Sequence, residues 1–194
     1  GAIQQNIETF SNQISQMVAD DAKKNHARIE GPYILYSPET EYYYLFLSFG
    51  GLNANDGYNI RVCRSKNPDG PYEDSLGQEM IKCGGANGTF FHDVDYEPYG
   101  VKLMGGYKFD AVESDTNKMA QAFRSPGHNS AYFEEETGRY FLIFHTRFAN
   151  SGESFSVRVH QMFMNEEGWP VVAPLRYTGE GKEAPAPANR PGAY

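Results

Sequence analysis

The sequence predicts an all-β chain of propeller-type blades preceded by one helix. Three observations carry this. From residue 33 onward, short apolar runs alternate with clusters of Gly, Pro, Asn and Asp, the pattern of strands joined by turns. The second half of the chain repeats the order of the first. The chain also holds 14 Tyr and 13 Phe, and rings in such numbers suit pleated sheets and sugar-binding surfaces.

The elements follow in order. Ile3, Ile7, Phe10, Ile14, Met17 and Val18 recur at helical spacing, so residues 3–24 read as an amphipathic helix. Residues 1–27 are therefore assigned to a helix and linker, and residues 28–194 to the blades. Residues 33–37 form a first strand, 38–41 a Pro-Glu-Thr-Glu turn, and 42–48 a second strand. The second is apolar on both faces and so central in its sheet. Residues 49–57 make a Gly- and Asn-rich loop, and 58–64 a third strand with Ile60 and Val62 alternating against Asn59 and Arg61. Asn67-Pro68-Asp69-Gly70-Pro71 is a turn signal.

Residues 72–99 read as irregular, with a polar cluster of His92, Asp93 and Asp95 that matches no metal-loop spacing. Residues 100–109 return to strand, with Val101, Leu103 and Tyr107 on one face, and 112–120 read as a loop or single helical turn.

The repeat then begins. Residues 131–145 carry a short strand, an acidic Glu-Thr turn and an aromatic-rich strand, as residues 34–48 do. Residues 156–160 echo 59–63. Asn165-Glu166-Glu167-Gly168-Trp169-Pro170 echoes the earlier turn, with an aromatic after the glycine in both. A repeated antiparallel unit of this kind is how propeller blades read. About two to three blades can be drawn, against the roughly four that a closed ring requires. The expectation is that a further segment completes the ring. Residues 180–194, rich in Pro, Ala and Gly, read as a surface tail.

Charge and composition narrow the function. A net charge of −8 argues against nucleic acid, which needs clustered Lys and Arg. A neutral polysaccharide or small polar ligand is compatible with it. No apolar run reaches membrane-span length, and no secretory leader is read in the chain. The spacing of Cys63 and Cys83 fits no metal or redox motif. Two buried thiols and one disulfide both stand as readings, and the mid-strand position of Cys63 favours thiols.

Arg28-Ile29-Glu30-Gly31-Pro32-Tyr33-Ile34 places an acid directly before a Gly-Pro turn at a strand mouth, where a side chain can point into a cleft. Glycoside hydrolysis needs such a carboxylic acid to protonate a leaving oxygen. It is followed in order by Ser48-Phe49-Gly50-Gly51, residues 98–104 (Pro-Tyr-Gly-Val-Lys-Leu-Met), Gly127-His128-Asn129-Ser130 and His145-Thr146-Arg147. Together, from about Arg28 to Tyr177, this set resembles glycoside hydrolase family 43, and within it the endo-acting arabinanases.

That resemblance implies a five-bladed β-propeller with its active site at one end of a central funnel, of which this chain supplies two to three blades. It implies cleavage of α-1,5-linked arabinofuranosyl bonds in arabinan or arabino-oligosaccharides by inversion, with Glu30 as the acid, desolvated by an aromatic funnel. Phe49, Gly50, Gly51 and Asn129 then shape the sugar cleft, and His145 and Arg147 bind or orient substrate. His128 matches the ligand of an axial ion, usually calcium. Calcium prefers oxygen, so the identity of the metal stays open. Secretion or a periplasmic location is implied as well.

One departure matters. The family's base and its tuning Asp precede the Glu-Gly-Pro motif, and Asp20 and Asp21 do not sit in the family's motifs. The expected partner is an N-terminal propeller segment, in the same polypeptide or as a second chain. Two alternatives remain: a non-catalytic carbohydrate-binding module, and a hydrolase directed at xylan side chains.

Overall fold

The computed structural model describes residues 29–82, 99–108, 122–148 and 151–179. The predicted helix, the Cys83 thiol, the cluster of His92, Asp93 and Asp95, residues 112–120 and the tail all lie outside these. Eight strands form two four-stranded antiparallel sheets. The first contains β1 (Ile29–Ser37), β2 (Tyr42–Phe49), β3 (Asn59–Ser65) and β4 (Val101–Met104); the second contains β5 (Phe123–Glu134), β6 (Arg139–Phe148), β7 (Ser156–Met164) and β8 (Pro170–Arg176). Each is a simple meander in chain order, so the repeat seen in the sequence is a repeat of sheets. Among the described residues the only helical element is a 3₁₀ turn, Met80–Lys82, and no helix is long and apolar enough to cross a membrane.

The core lies between the sheets. Tyr44, Phe46, Ile60 and Val62 on one side meet Tyr140, Leu142, Phe144 and Met162 on the other. β2 alternates between this core and a second one on the reverse face, where Leu45, Leu47 and Phe49 pack with Cys63, Tyr72 and Met80. It is thus buried on both faces, as its unbroken apolar run predicts. The Cys63 thiol lies in this second core, its sulfur 3.6 Å from the Leu45 carbonyl.

The two acidic turns match. Gly138 N donates to Glu134 O at 2.8 Å, and Glu41 N donates to Ser37 O at 2.8 Å. The aromatics after the two glycine turns, Tyr72 and Trp169, are both buried. The correspondence ends there. Trp169 leads directly into β8, whereas Tyr72 leads into a loop organised by buried Asp74. That carboxylate accepts from Leu76 N, Gln78 N and Gly100 N.

Other boundaries differ from expectation. β4 stops at Met104 because Gly105 and Gly106 have no side chain to pack on a sheet; Tyr107 meets Phe123 through an isolated bridge and a ring stack at 4.5 Å, outside the ladder of β4. β5 begins eight residues earlier than the sequence suggests, and β8 was not expected as a strand.

Candidate active site

Five segments converge at one end of the sheets: the start of β1, the end of β2, the entry to β3, the front half of β5 and the end of β6. β5 lies across β1, β2 and β3, which brings the two sheets together here. Both strands that carry the key motifs are bulged. In β1 the register shifts between Glu30 and Tyr33, where Pro32 has no N–H for the ladder and Gly31 takes φ +60°. In β5 it shifts on both sides of Gly127, with Ser125 and His128 each at φ +47°. Bulges re-aim side chains and recur beside functional sites.

Glu30 pairs with Ser48 across the ladder, and its Oε1 accepts a hydrogen bond from the Tyr58 hydroxyl at 2.6 Å. Its side chain is otherwise exposed. The expected desolvation by an aromatic funnel is therefore not supplied by the described residues, which close one side of the carboxyl only.

Tyr58 itself is buried. Burial, and then its bond to Glu30, push the phenol far above its ordinary value, so it stays protonated and donates. Ser48 stands beside this phenol and opposes the rise, and its Oγ accepts from His128 N at 2.6 Å. Ser48 thus ties the His128 backbone to the ladder partner of Glu30, and Tyr58 holds the carboxyl itself. Sequence reasoning read Tyr58 only as the start of a strand. Its one local signal is its place directly after the Asn55-Asp56-Gly57 turn, which says nothing of what its hydroxyl meets.

His145 pairs with Gly127 in the ladder. Its ring stacks on Tyr58 at 5.9 Å and 13° and stands 6.3 Å from that of His128. Burial lowers its pKa below the ordinary histidine value, and the neighbouring His128 and Arg147 lower it further, while Glu30 opposes them. The ring is therefore neutral near pH 7. Its Nδ1 is buried with no hydrogen-bond partner among the described residues.

Arg147 is buried, with Nε 2.7 Å from a Glu153 carboxylate oxygen and its guanidinium over the Phe155 ring at 3.9 Å. Its Nη1 has no hydrogen-bond partner among the described residues. Asn129 is buried too, and neither amide atom is paired there. Buried polar atoms in this state call for an explanation, and three such residues in one region fit a polar ligand.

The remaining expectations divide. Gly50, at φ +88° with Gly57 O 3.2 Å from where a Cβ would stand, and Gly51, bridged to Gly57, close the loop that leads to Tyr58. Phe49 is fully buried in the reverse core with Arg61 over its ring at 4.9 Å. Its ring therefore reaches no open surface, and any part it has in shaping the sugar cleft is through the backbone and packing beside Gly50 and Gly51.

His128 is exposed, and no group of three or more His, Cys, Asp or Glu side chains that could hold a metal is present among the described residues. They fit a single imidazole ligand, not an oxygen cage.

The sequence model described as glycosyl hydrolases, family 43, matches residues 3–93. The chain is 62% identical over 156 residues to extracellular endo-α-(1→5)-L-arabinanase 2 of Bacillus subtilis, covering 80% of this chain and 32% of that protein. It is 54% identical to the extracellular endo-α-(1→5)-L-arabinanase of Thermotoga petrophila over the same shares. Among solved structures, a family 43 glycoside hydrolase of Bacillus licheniformis superposes with a TM-score of 0.70 at 58% identity, over 80% of this chain and 33% of that one. The Thermotoga petrophila endo-1,5-α-L-arabinanase gives 0.68 at 53% identity, again over 80% and 33%. The chain thus spans about a third of the length of the relatives it matches.

Proposed function

This chain belongs to glycoside hydrolase family 43, and from that premise we propose that it forms one side of an active site that cleaves α-1,5-linked L-arabinofuranosyl bonds in arabinan by inversion. The observation that carries the reading is the placement of Glu30: a carboxyl held through one oxygen by Tyr58, open on its other side, at the junction of the bulged strands. Glu30 is the general acid. The base and the tuning carboxylate come from a segment outside this chain, which packs against this end, completes a five-bladed ring and withdraws Glu30 from water. In an inverting site that base stands roughly 6.5–9.5 Å from the acid, leaving room for the attacking water.

Asn129, His145 and Arg147 bind or orient the sugar. Their unpaired buried atoms support this role, because sugar hydroxyls both donate and accept. His128 would be the one protein ligand from this chain to an axial ion otherwise held by water; such an ion would supply local positive charge. Relatives described as extracellular support a secreted protein.

The test is release of reducing ends from linear arabinan by the native protein that contains this chain, compared with Glu30→Gln. Loss of hydrolysis with retained arabinan binding is expected. Undiminished hydrolysis in Glu30→Gln would remove the acid. Arabinan binding with no hydrolysis by either protein would favour a carbohydrate-binding module.

A further inference from the structure

We propose that Tyr58 is a positioning residue for the proton donor, deciding which oxygen of Glu30 carries the proton. This rests on the reading of Glu30 as general acid. Tyr58 Oη donates to Glu30 Oε1 at 2.6 Å, so Oε1 is committed as an acceptor. When Glu30 is protonated, the proton therefore resides on Oε2, the oxygen that Tyr58 leaves free. In the chemical step the Oε2–H bond breaks as the glycosidic oxygen takes the proton. The bond from the anomeric carbon to that oxygen breaks with its electron pair leaving on the oxygen, while a water bonds to the anomeric carbon from the opposite face and gives its proton to the base; Tyr58 keeps its own proton throughout.

The phenol is well placed to hold one geometry. Its ring is buried, stacked on His145 and packed so closely on Gly127 that a Cβ there would meet it at 1.9 Å. Ser48, the ladder partner of Glu30, stands beside the phenol and is itself held by His128 N. Tyr58 thus joins the carboxyl on the first sheet to the Gly-His-Asn-Ser segment on the second, against which its ring is packed.

The test uses the native protein that contains this chain, with Tyr58→Phe, Ser48→Ala and Glu30→Gln. Substrates are an unsubstituted arabino-oligosaccharide and aryl arabino-oligosaccharides whose leaving phenols span a range of acidity. A poor leaving group depends on protonation; an acidic phenol departs with little help. Tyr58→Phe, which keeps the ring, is expected to lower kcat about tenfold on the unsubstituted substrate, the rate equivalent of one positioning hydrogen bond. KM should stay within about twofold, and the penalty should vanish for the most acidic phenol. Ser48→Ala should show the same trend more weakly.

Glu30→Gln anchors the comparison with a larger loss of the same dependence. If Glu30→Gln lacks that dependence, the acid assignment fails and takes this inference with it. If Glu30→Gln shows it while Tyr58→Phe loses rate equally on every substrate, or changes KM alone, or changes nothing, the positioning role is overturned and the acid assignment stands.

Discussion

Cε1 of Tyr58 lies 1.9 Å from where a Cβ on Gly127 would stand, so the tyrosine ring and any larger residue at position 127 exclude each other. The ring is buried and cannot swing away without leaving both Glu30 and His145. Gly127→Ala is therefore expected to destabilise the fold by about 1–3 kcal/mol through overpacking and to lower hydrolysis in parallel. Urea unfolding should show a lower midpoint at unchanged slope. In a Tyr58→Ala background the same substitution should cost far less, a coupling on the order of 1–3 kcal/mol. Additive costs would mean that the two positions do not compete for space.

That contact was not legible in the sequence, and the reason is physical. The glycine of Gly127-His128-Asn129-Ser130 is drawn by a ring 69 residues away in the chain, a relation no local pattern encodes. The same segment hid the first eight residues of β5. Pro126, Gly127 and Asn129 are poor strand formers, and β5 runs through them only by bulging on each side of Gly127. What local patterning does encode came through: the double burial of β2 and both Glu-Thr turns; the aromatics noted after Gly70 and Gly168 prove to be buried. The Glu30, His128 and His145 cluster was readable as an ordered set of motifs. Tyr58, which joins them, was not.

Arg147 and Glu153 make an unequal pair. The guanidinium is buried, while the Glu153 side chain is 60% exposed. The carboxylate also accepts from Ala54 N, at 3.2 Å for one of its oxygens, and so ties down the loop that leads to Tyr58. Glu153→Gln keeps the shape and removes the charge. Because one partner is solvated, the stability cost is expected to be modest, about 1 kcal/mol, well below that of a fully buried pair. The larger effect should fall on substrate binding, with KM for arabinan rising several-fold and kcat nearly held. A Michaelis analysis beside a thermal melt checks both; a fall in kcat at constant KM would contradict the binding role proposed for Arg147.

His160 gives the fold a pH dependence of definite sign. Its ring is fully buried, edge-on to Phe123 at 5.7 Å, with Nδ1 2.7 Å from Ala173 O and Nε2 without a hydrogen-bond partner among the described residues. Burial lowers its pKa from 6.5, with Arg158 adding to this and the Ala173 bond opposing it. Above pH 6.5 the ring is neutral both folded and unfolded, and its contribution is fully present. As pH falls below 6.5 the unfolded chain takes up a proton that the fold refuses. Stability is then lost until the pH passes the lowered folded value. The loss is up to about 1.4 kcal/mol per pH unit. His145, lowered by burial in the same way but only half-buried, adds a smaller effect of the same sign. Urea unfolding over a pH series should show stability declining below pH 6.5, and His160→Phe should flatten that decline. Parallel slopes in the two proteins would rule out His160 as its source.

Arg64 clamps the sheets at the end opposite Glu30. It leaves β3 and reaches the turn between β7 and β8, where Nη1 donates to Glu167 O at 2.6 Å and Gly168 O at 3.0 Å. Its guanidinium lies over Tyr42 at 4.3 Å and over Trp169 at 4.1 Å, so one planar cation joins an aromatic from each sheet. Tyr44 also donates to Gly168 O, and the Ser37 and Tyr140 hydroxyls meet at 2.7 Å, giving this end several polar ties between the sheets. Arg64→Ala removes two stacked contacts of about 0.5–1 kcal/mol each and charged hydrogen bonds to two carbonyls. The expected loss is about 2–3 kcal/mol. Arg64→Lys should recover little of it, because an ammonium has no planar face to sit between two rings. Since the clamp is remote from Glu30, KM and kcat measured well below the melting temperature should match the parent protein. Calorimetry on both variants checks the stability. A lysine variant as stable as the parent would show that charge alone, and not the planar stack, holds the two sheets together at this end.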